Sequence, residues 1–295
     1  MGGELLEALV LREVEAERAQ QWGGSEARMG RPVNTGSREA FDAAAADFAV
    51  LGRHLWEPVA ADAVAVADPR EGERVLDACC GTGASAVPTA KLVGRGGMVD
   101  AVDISAPMIA ELRRRGEGLP QLRAHEADVT SWSGTGYDLV QSVLGIFFFP
   151  DMTEGTRRLI GMARPGGRVA FTIWRSGAMV AAGRQLALAV AEVRRTDPPG
   201  ERKPHLIDRI NRPATFAAWL RELGLSGVDV AVRERSLPMT PEIAWLLVLG
   251  SGYRGALSDV PPDSVPAVRE RYLTRLRDAG IDELDATTLT ATATR

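Results

Sequence analysis

The sequence predicts an α/β protein with a doubly wound, mostly parallel sheet, because three observations agree. Between Arg74 and Ala86 an apolar run ends in an acid, and a glycine turn follows. From Glu73 to Trp174, segments with a strand pattern alternate with segments with a helix pattern. Polar or acidic residues stand at the ends of four predicted strands. Alternating strands and helices are typical of a parallel sheet covered by helices on both faces.

The N-terminal part is predicted to be helical and to precede this sheet. Leu6, Val10 and Val14 recur at helical spacing, which predicts a helix over residues 4–21. Residues 23–37 are rich in Gly, Ser, Pro and Asn, which predicts a loop or lid. A second helical region is expected over residues 38–67.

Five strands and three helices are predicted in the core. The strands cover residues 74–78, 98–103, 121–127, 137–143 and 168–174. Helices are expected over residues 84–93, 106–115 and 153–163. Ser105 and Pro107 are typical of the start of the second helix, and Gly116 of its end.

Beyond the fifth strand the pattern is less regular. Helices are predicted over residues 178–195 and 213–223, with a Pro-rich loop over 196–211 between them. A strand over 228–237 precedes a helical insertion over 241–279, and alternation of Thr with apolar residues predicts a last strand over 285–294. These two strands are expected to pair antiparallel at the sheet edge.

The glycine turn Gly81-Thr82-Gly83 follows Asp77 and opens a helix, which is typical of a nucleotide-type site. By spacing alone, Gly81, Gly83 and Ala86 also fit a dinucleotide site or a purely structural turn. Asp77 favours another ligand, because a carboxylate repels a pyrophosphate and attracts an ammonium or a sulfonium. S-adenosylmethionine carries both positive groups, and its carboxylate suits the N-terminus of a helix.

Three further strand ends support this interpretation. Asp103 lies about twenty residues beyond the glycine turn, where a carboxylate can accept both hydroxyls of a ribose. Asp128 and Val129 follow the third strand and could recognise an adenine, although a turn aspartate is the ordinary alternative. Ser142 ends the fourth strand, at the switch point of the sheet where ligands bind.

These motifs resemble the class I S-adenosylmethionine-dependent methyltransferases, most closely the ubiquinone/menaquinone biosynthesis C-methyltransferase type. The resemblance rests on residues 75–77 with 81–83, 92–94 before 102–104, 142–145 and 164–167, and on the upstream segment 41–56. It implies a Rossmann-like, seven-stranded sheet with an antiparallel last strand, and S-adenosylmethionine as cofactor. The cofactor contacts that it implies are Asp77, Ala78, Gly81, Thr82, Gly83, Asp103, Ile104, Met108, Asp128, Val129 and Ser142.

The chain departs from that family at three places. Cys79 replaces the first glycine of the usual loop, a swap that we expect to be tolerated. Phe48 stands where the quinone enzymes usually have tyrosine, and the insertion over 241–279 is not part of the minimal fold. We therefore expect three parts: a lid segment over 1–70, a cofactor-binding core over 71–240 and 280–295, and the insertion, which caps the acceptor site.

The acceptor is expected above the fourth and fifth strands, in an apolar and aromatic pocket. For each candidate, ordinary core packing is the alternative. The candidate pocket residues are Phe41, Phe48, Phe147, Trp174, Trp245, Tyr253 and Arg254. A general base helps when the nucleophile must lose a proton, and His54 and His205 are weak candidates for that role.

Composition excludes several function classes. A net charge of −4 offers no basic face for nucleic acid. The two cysteines are adjacent, which predicts a reducing, cytoplasmic setting, and no metal-ligand spacing appears. No apolar run has membrane-spanning length and no signal peptide is recognised. We expect a soluble protein whose partner is a small molecule, and a homodimer stays open.

The sequence thus favours methyl transfer from S-adenosylmethionine, which leaves S-adenosylhomocysteine, to a small-molecule acceptor such as a secondary metabolite. Whether carbon, oxygen or nitrogen is methylated stays open. One alternative is an enzyme that uses the same cofactor for aminopropyl transfer or cyclisation. Another is a binding subunit without catalysis.

Overall fold

A computed structural model describes residues 35–197, 200 and 205–295 of the chain. The helix predicted over 4–21 and most of the loop predicted over 23–37 lie outside these residues. The region predicted as helical over 38–67 forms two helices, α1 (Thr35–Gly52) and α2 (Trp56–Ala67).

The centre of the fold is a seven-stranded sheet with the order β3-β2-β1-β4-β5-β9-β6. The first five strands pair with one another in parallel, which confirms the predicted fold class. Their bounds are β1 Arg74–Ala78, β2 Met98–Asp103, β3 Leu122–Glu126, β4 Tyr137–Val143 and β5 Ala163–Trp174. β5 begins earlier than predicted, because the segment around Gly166 extends the strand.

Helices connect these strands along the chain and cover the sheet. Ser105 caps α4 as predicted, since its hydroxyl accepts a hydrogen bond from the N–H of Met108. The pattern missed α7, which lies inside the predicted Pro-rich loop. The helices are α3 Ala86–Val93, α4 Ala106–Arg115, α5 Met152–Met162, α6 Val180–Arg194, α7 Leu206–Ile210 and α8 Pro213–Glu222.

The C-terminal strands close the sheet as expected. β9 (Thr288–Thr294) lies antiparallel between β5 and β6 (Ser226–Arg233). The strand predicted over 228–237 divides in two, because its end leaves the sheet as β7 (Ser236–Pro238) and pairs with β8 (Glu283–Asp285). The insertion between β7 and β8 contains α9 (Pro241–Leu249) and α10 (Val265–Asp278).

Buried apolar side chains form a core on each face of the sheet and a third cluster above its strand ends. This third cluster, called the cap cluster here, joins α2, α6 and the insertion. It is built from buried residues such as Leu55, Val59, Leu186, Leu247 and Tyr272. The carboxyl ends of β4 and β5 therefore meet an apolar cap instead of water.

The described residues contain neither a membrane-spanning helix nor a metal-ligating cluster. None of the helices in residues 35–197, 200 and 205–295 has the length and apolar character needed to cross a bilayer. In the same part of the chain, no three His, Cys, Asp or Glu residues are grouped closely enough to hold a metal ion.

Candidate functional site

The glycine loop between β1 and α3 is held in a conformation that requires glycine. Gly81 and Gly83 have φ angles of +53° and +86°, in the left-handed region that favours glycine. A Cβ on Gly83 would lie 2.2 Å from Cδ1 of Leu112, and one on Gly81 would lie 3.6 Å from the ring of Phe48. The loop thus packs closely against α4 on one side and α1 on the other.

Asp103, at the end of β2, is fixed by the glycine loop and by the start of α4. Its Oδ2 accepts a hydrogen bond of 2.8 Å from the N–H of Gly81, and its Oδ1 accepts one of 3.0 Å from the N–H of Ser105. Burial raises the pKa of this carboxyl, and the backbone hydrogen bonds work against the rise. The remaining lone pairs can accept further donors.

Asp77 lies beneath the loop and is fully buried. Its Oδ2 accepts a hydrogen bond of 3.0 Å from Nε2 of Gln141, whereas its Oδ1 has no hydrogen-bond partner among the described residues. Burial raises the pKa of Asp77 to about 6, and the charge of Asp103 adds to the rise. A cation above the loop would offset this buried charge.

A cavity of about 450 Å³ opens above the carboxyl ends of β1, β2 and β4. On the side of the glycine loop and β2, two carboxylates and several small apolar residues line it. The lining residues of this cofactor half are Cys80, Gly81, Ala84, Ser85, Val102, Asp103, Ile104, Met108, Ala127, Asp128 and Val129.

Six of the eleven predicted cofactor residues line this half of the cavity: Gly81, Asp103, Ile104, Met108, Asp128 and Val129. The other five lie outside the lining and support it. Asp77, Ala78 and Ser142 are buried in the strands, Gly83 sets the turn, and the carbonyl and hydroxyl of Thr82 accept hydrogen bonds from Arg115.

The other half of the cavity is aromatic. The ring of Phe48 stacks on Trp56 at a centroid distance of 4.8 Å, and Phe41 meets Phe148 edge to face at 5.1 Å. Of the predicted pocket residues, five line the cavity: Phe41, Phe48, Phe147, Trp174 and Tyr253.

Two predicted pocket residues lie elsewhere, and their assignment to the lining is wrong. Trp245 of α9 is partly buried and packs against the cap cluster. Arg254 forms an ion pair of 2.9 Å with Asp47 of α1 and donates a hydrogen bond to the carbonyl of Leu249. This ion pair joins the insertion to α1.

The two candidate histidines do not reach the cavity either. His54 is exposed in the turn between α1 and α2. His205 caps α7, because its Nδ1 accepts the N–H of Ile207 while its own N–H donates to Asp208. Neither histidine contributes to the cavity lining.

The sequence reasoning missed several lining residues. Trp56, Leu144 and Met179 line the cavity, as do Ser251 and Gly252 of the insertion. Trp56 could have been predicted, because it follows Phe48 by eight residues in the predicted lid segment. The others follow strand ends or belong to irregular segments, where hydrophobic periodicity does not predict which way a side chain points.

None of the described side chains that line the aromatic half offers a free base, and the two lining carboxylates, Asp103 and Asp128, lie in the cofactor half. Among the described lining residues there is no Lys, Arg or His. Burial raises the pKa of the thiols of Cys79 and Cys80, so both stay protonated. Burial also raises the pKa of Tyr253, and its hydroxyl donates to the carbonyl of Met179.

Helices α1 and α2 cover the cavity, and three of their polar contacts with the rest of the protein lie near it. These are Ser105 to Asp42 at 2.6 Å, Arg254 to Asp47 at 2.9 Å and Arg115 to Glu57 at 2.8 Å. Each contact joins the helical cover to a segment that shapes the cavity.

Comparison with known proteins agrees with this geometry. Residues 75–167 match a family described as a methyltransferase domain. Over 145 residues the chain is 34% identical to aklanonic acid methyltransferase from Streptomyces sp., covering 47% of this chain and 66% of that protein. Over 136 residues it is 33% identical to nocamycin O-methyltransferase from Saccharothrix syringae, covering 45% and 49%. The match therefore spans about half to two thirds of these relatives.

Among solved structures, the chain resembles phosphoethanolamine N-methyltransferase 2 from Haemonchus contortus in complex with S-adenosyl-L-methionine. The TM-score is 0.53 at 16% sequence identity, over 88% of this chain and 60% of that one. At this identity the likeness concerns the fold. Residues 75–167 accordingly match a methyltransferase domain, and the chain has the fold of the class I S-adenosylmethionine-dependent methyltransferases.

Proposed function

We propose that the protein transfers a methyl group from S-adenosylmethionine to an acidic oxygen of a flat, apolar secondary metabolite. One observation carries the cofactor assignment. Three carboxylates, of Asp77, Asp103 and Asp128, surround the glycine loop, while no cationic side chain is found among the described lining residues. Such a cavity favours a ligand with net positive groups.

The residues present suit that cofactor. Asp103 is positioned to accept ribose hydroxyls, and Val129 with Met108 offers apolar contact for an adenine. The orphaned Oδ1 of Asp77 supplies negative charge beneath the loop for an ammonium group. When bound, S-adenosylmethionine supplies a methyl group activated by its sulfonium.

The aromatic half supports a flat acceptor. Rings from α1, from the segment after β4 and from the end of β5 surround it, and aromatic faces stack on planar ligands. Aklanonic acid methyltransferase and nocamycin O-methyltransferase, by their names, act on secondary metabolites. The name of the nocamycin enzyme favours an oxygen acceptor over the carbon acceptor of the quinone enzymes.

The described residues of the aromatic half include no carboxylate, Lys, Arg or His, which favours an acceptor that arrives ionised and is attracted by the sulfonium of the cofactor. A carboxylic acid or an acidic enol is deprotonated at neutral pH without help from the protein. The chain's own contribution is then to exclude water with its aromatic residues and to align the acceptor with the methyl group. Proximity alone can supply much of the rate.

The proposal is tested with methyl-labelled S-adenosylmethionine and anthraquinone-2-carboxylic acid, with anthraquinone-2-carboxamide as the matched neutral control. We expect label in the ester of the acid and none in the amide. Release of methylthioadenosine would instead indicate aminopropyl chemistry. Binding of the cofactor without its consumption across a panel of aromatic acids and phenols would favour a non-catalytic subunit.

A further inference from the structure

Backbone strain in this protein is concentrated at the cavity. Five described residues other than glycine have a left-handed backbone. Two of them, Asp68 and Arg195, end helices α2 and α6, where this conformation is common. The other three are Cys79, Leu144 and Met179, with φ angles of 59°, 58° and 66°, and all three line the cavity.

The three strained residues follow adjacent strands. Cys79 follows β1 and Leu144 follows β4, while Met179 lies five residues beyond the end of β5. Because these strands are neighbours in the sheet, the three residues line the cavity from one edge of the sheet, and they are called the floor here. Non-glycine residues in this region persist only where the surroundings hold them, and they concentrate at functional sites.

The surroundings of Leu144 and Met179 supply that hold. The N–H of Leu144 donates a 3.0 Å hydrogen bond to the carbonyl of Thr172 in β5. The N–H of Met179 donates a 2.8 Å bond to the carbonyl of Asp285, and its own carbonyl accepts from the hydroxyl of Tyr253. Both side chains pack against the cap cluster, so backbone and side chain are fixed together.

We propose that Leu144 and Met179 are specificity-determining residues, which set how large a planar acceptor the cavity accepts. The inference rests on the proposed function and deepens it. A glycine would relieve the strain at either position, but it would also remove the apolar surface that closes the floor. Neither residue belongs to the cofactor half, so cofactor binding should not depend on them.

The test compares Leu144→Ala and Met179→Ala with Leu144→Gly and Met179→Gly. Arg195→Ala and Arg195→Gly are the matched controls, because Arg195 shares the left-handed backbone and is exposed outside the cavity. Thermal unfolding midpoints measure how much stability the backbone strain costs. Calorimetry measures the affinity for S-adenosylhomocysteine and so checks that the cofactor half is intact. Binding of anthraquinone-2-carboxylic acid and of 2-naphthoic acid to the S-adenosylhomocysteine complex, followed by tryptophan fluorescence, reports the floor.

We expect each glycine variant to melt roughly 2–4 °C above its alanine counterpart, at Arg195 as well as at the floor. Affinity for S-adenosylhomocysteine should stay within about twofold of the unchanged chain. At Leu144 and Met179, the ratio of the two acid affinities should shift about tenfold towards the three-ring acid. The Arg195 variants should leave that ratio unchanged.

An unchanged affinity ratio in variants that bind S-adenosylhomocysteine normally would overturn the inference. Failure of the unchanged chain to bind S-adenosylhomocysteine would instead overturn the proposed function. If the chain binds the cofactor product but neither acid, the acceptor class and this inference both fail. Should the truncated variants not fold, Leu144→Asn and Met179→Asn still reduce the side-chain volume, and asparagine tolerates a left-handed backbone. Their affinity ratio must then shift towards the three-ring acid.

Discussion

The N–H of Gly81 donates a hydrogen bond of 2.8 Å to Oδ2 of Asp103, which joins the loop after β1 to the end of β2. The contact aligns two strand ends that a ligand must bridge. The other oxygen, Oδ1, accepts a hydrogen bond of 3.0 Å from the N–H of Ser105, so the backbone holds both ends of the carboxylate. The same residue therefore shapes the glycine loop and provides the negative charge at the cavity.

Replacement of Asp77 should change the pH dependence of stability. Burial raises its pKa from 3.8 to about 6, so the folded chain binds more protons than the unfolded chain between these values. Stability therefore falls as the pH rises from about 4 to about 6. Asp77→Asn removes this penalty, and urea unfolding at pH 8 should show a gain on the order of 2–3 kcal/mol. Near pH 4 the gain should disappear.

Asp138 is the matched control with the opposite sign. Partial burial raises the pKa of its carboxyl. Hydrogen bonds from Arg164 and from the N–H of Arg74 lower the pKa by more than burial raises it, so the net shift is downward. Asp138→Asn should therefore lose stability at pH 8 and approach the unchanged chain at low pH. If Asp77→Asn behaved like Asp138→Asn, the assignment of a buried, unfavourable charge would be wrong.

Arg115 should support cofactor binding without touching the cofactor. Its guanidinium donates to the carbonyl and hydroxyl of Thr82 at 3.3 and 3.4 Å, and to Glu57 of α2 at 2.8 Å. Arg115→Ala should weaken binding of S-adenosylhomocysteine about fivefold, since ordering of the glycine loop loses about 1 kcal/mol. Calorimetry measures the change.

The neighbouring Arg114 is the control for that loss. The exposed guanidinium of Arg114 forms an ion pair with Glu111 of its own helix. Ion pairs at the surface contribute little to stability. Arg114→Ala should bind within about twofold of the unchanged chain. Equal losses in both variants would show that general charge, and not the contact with Thr82, is responsible.

Gly145 and Cys79 should show coupled stability effects. A Cβ on Gly145 would lie 2.5 Å from Cβ of Cys79 and 2.7 Å from Oγ of Ser142. Gly145→Ala should therefore cost about 1–3 kcal/mol of unfolding free energy. Cys79→Gly removes one clash and a left-handed side chain, so the double variant should recover about 1 kcal/mol beyond additivity. Urea unfolding of all four chains gives the coupling, and strict additivity would contradict the contact.

The sequence predicts the local elements of this fold well. The bounds of β1, β2 and β4 agree with the prediction, because their apolar runs end sharply at turns and acids. The predicted N-cap of α4 at Ser105 is confirmed for the same local reason. Six of the predicted cofactor residues line the cavity because each lies at or shortly after the carboxyl end of a strand, and in a parallel sheet these ends share one edge.

The remaining features depend on contacts between distant segments. Nothing local indicates that Gln141 donates to Asp77, 64 positions away. Whether Trp245 faces the cavity or the cap cluster depends on how α9 packs, and its surrounding run is apolar on every side. The role of His205 as a cap was missed because histidine is an unusual N-cap residue.

The central claim is that Asp103 and the glycine loop bind S-adenosylmethionine, and calorimetry on Asp103→Ala tests it most directly. The control is Glu111→Ala, an acid on the outer surface of α4. Asp103→Asn keeps an acceptor for the N–H of Gly81 and separates loss of charge from loss of loop structure. We expect S-adenosylmethionine and S-adenosylhomocysteine to bind Asp103→Ala about 10–100-fold more weakly than the unchanged chain, and Glu111→Ala normally. Equal affinity in all chains, or no binding to the unchanged chain, would contradict the assignment of Asp103 and the glycine loop to S-adenosylmethionine.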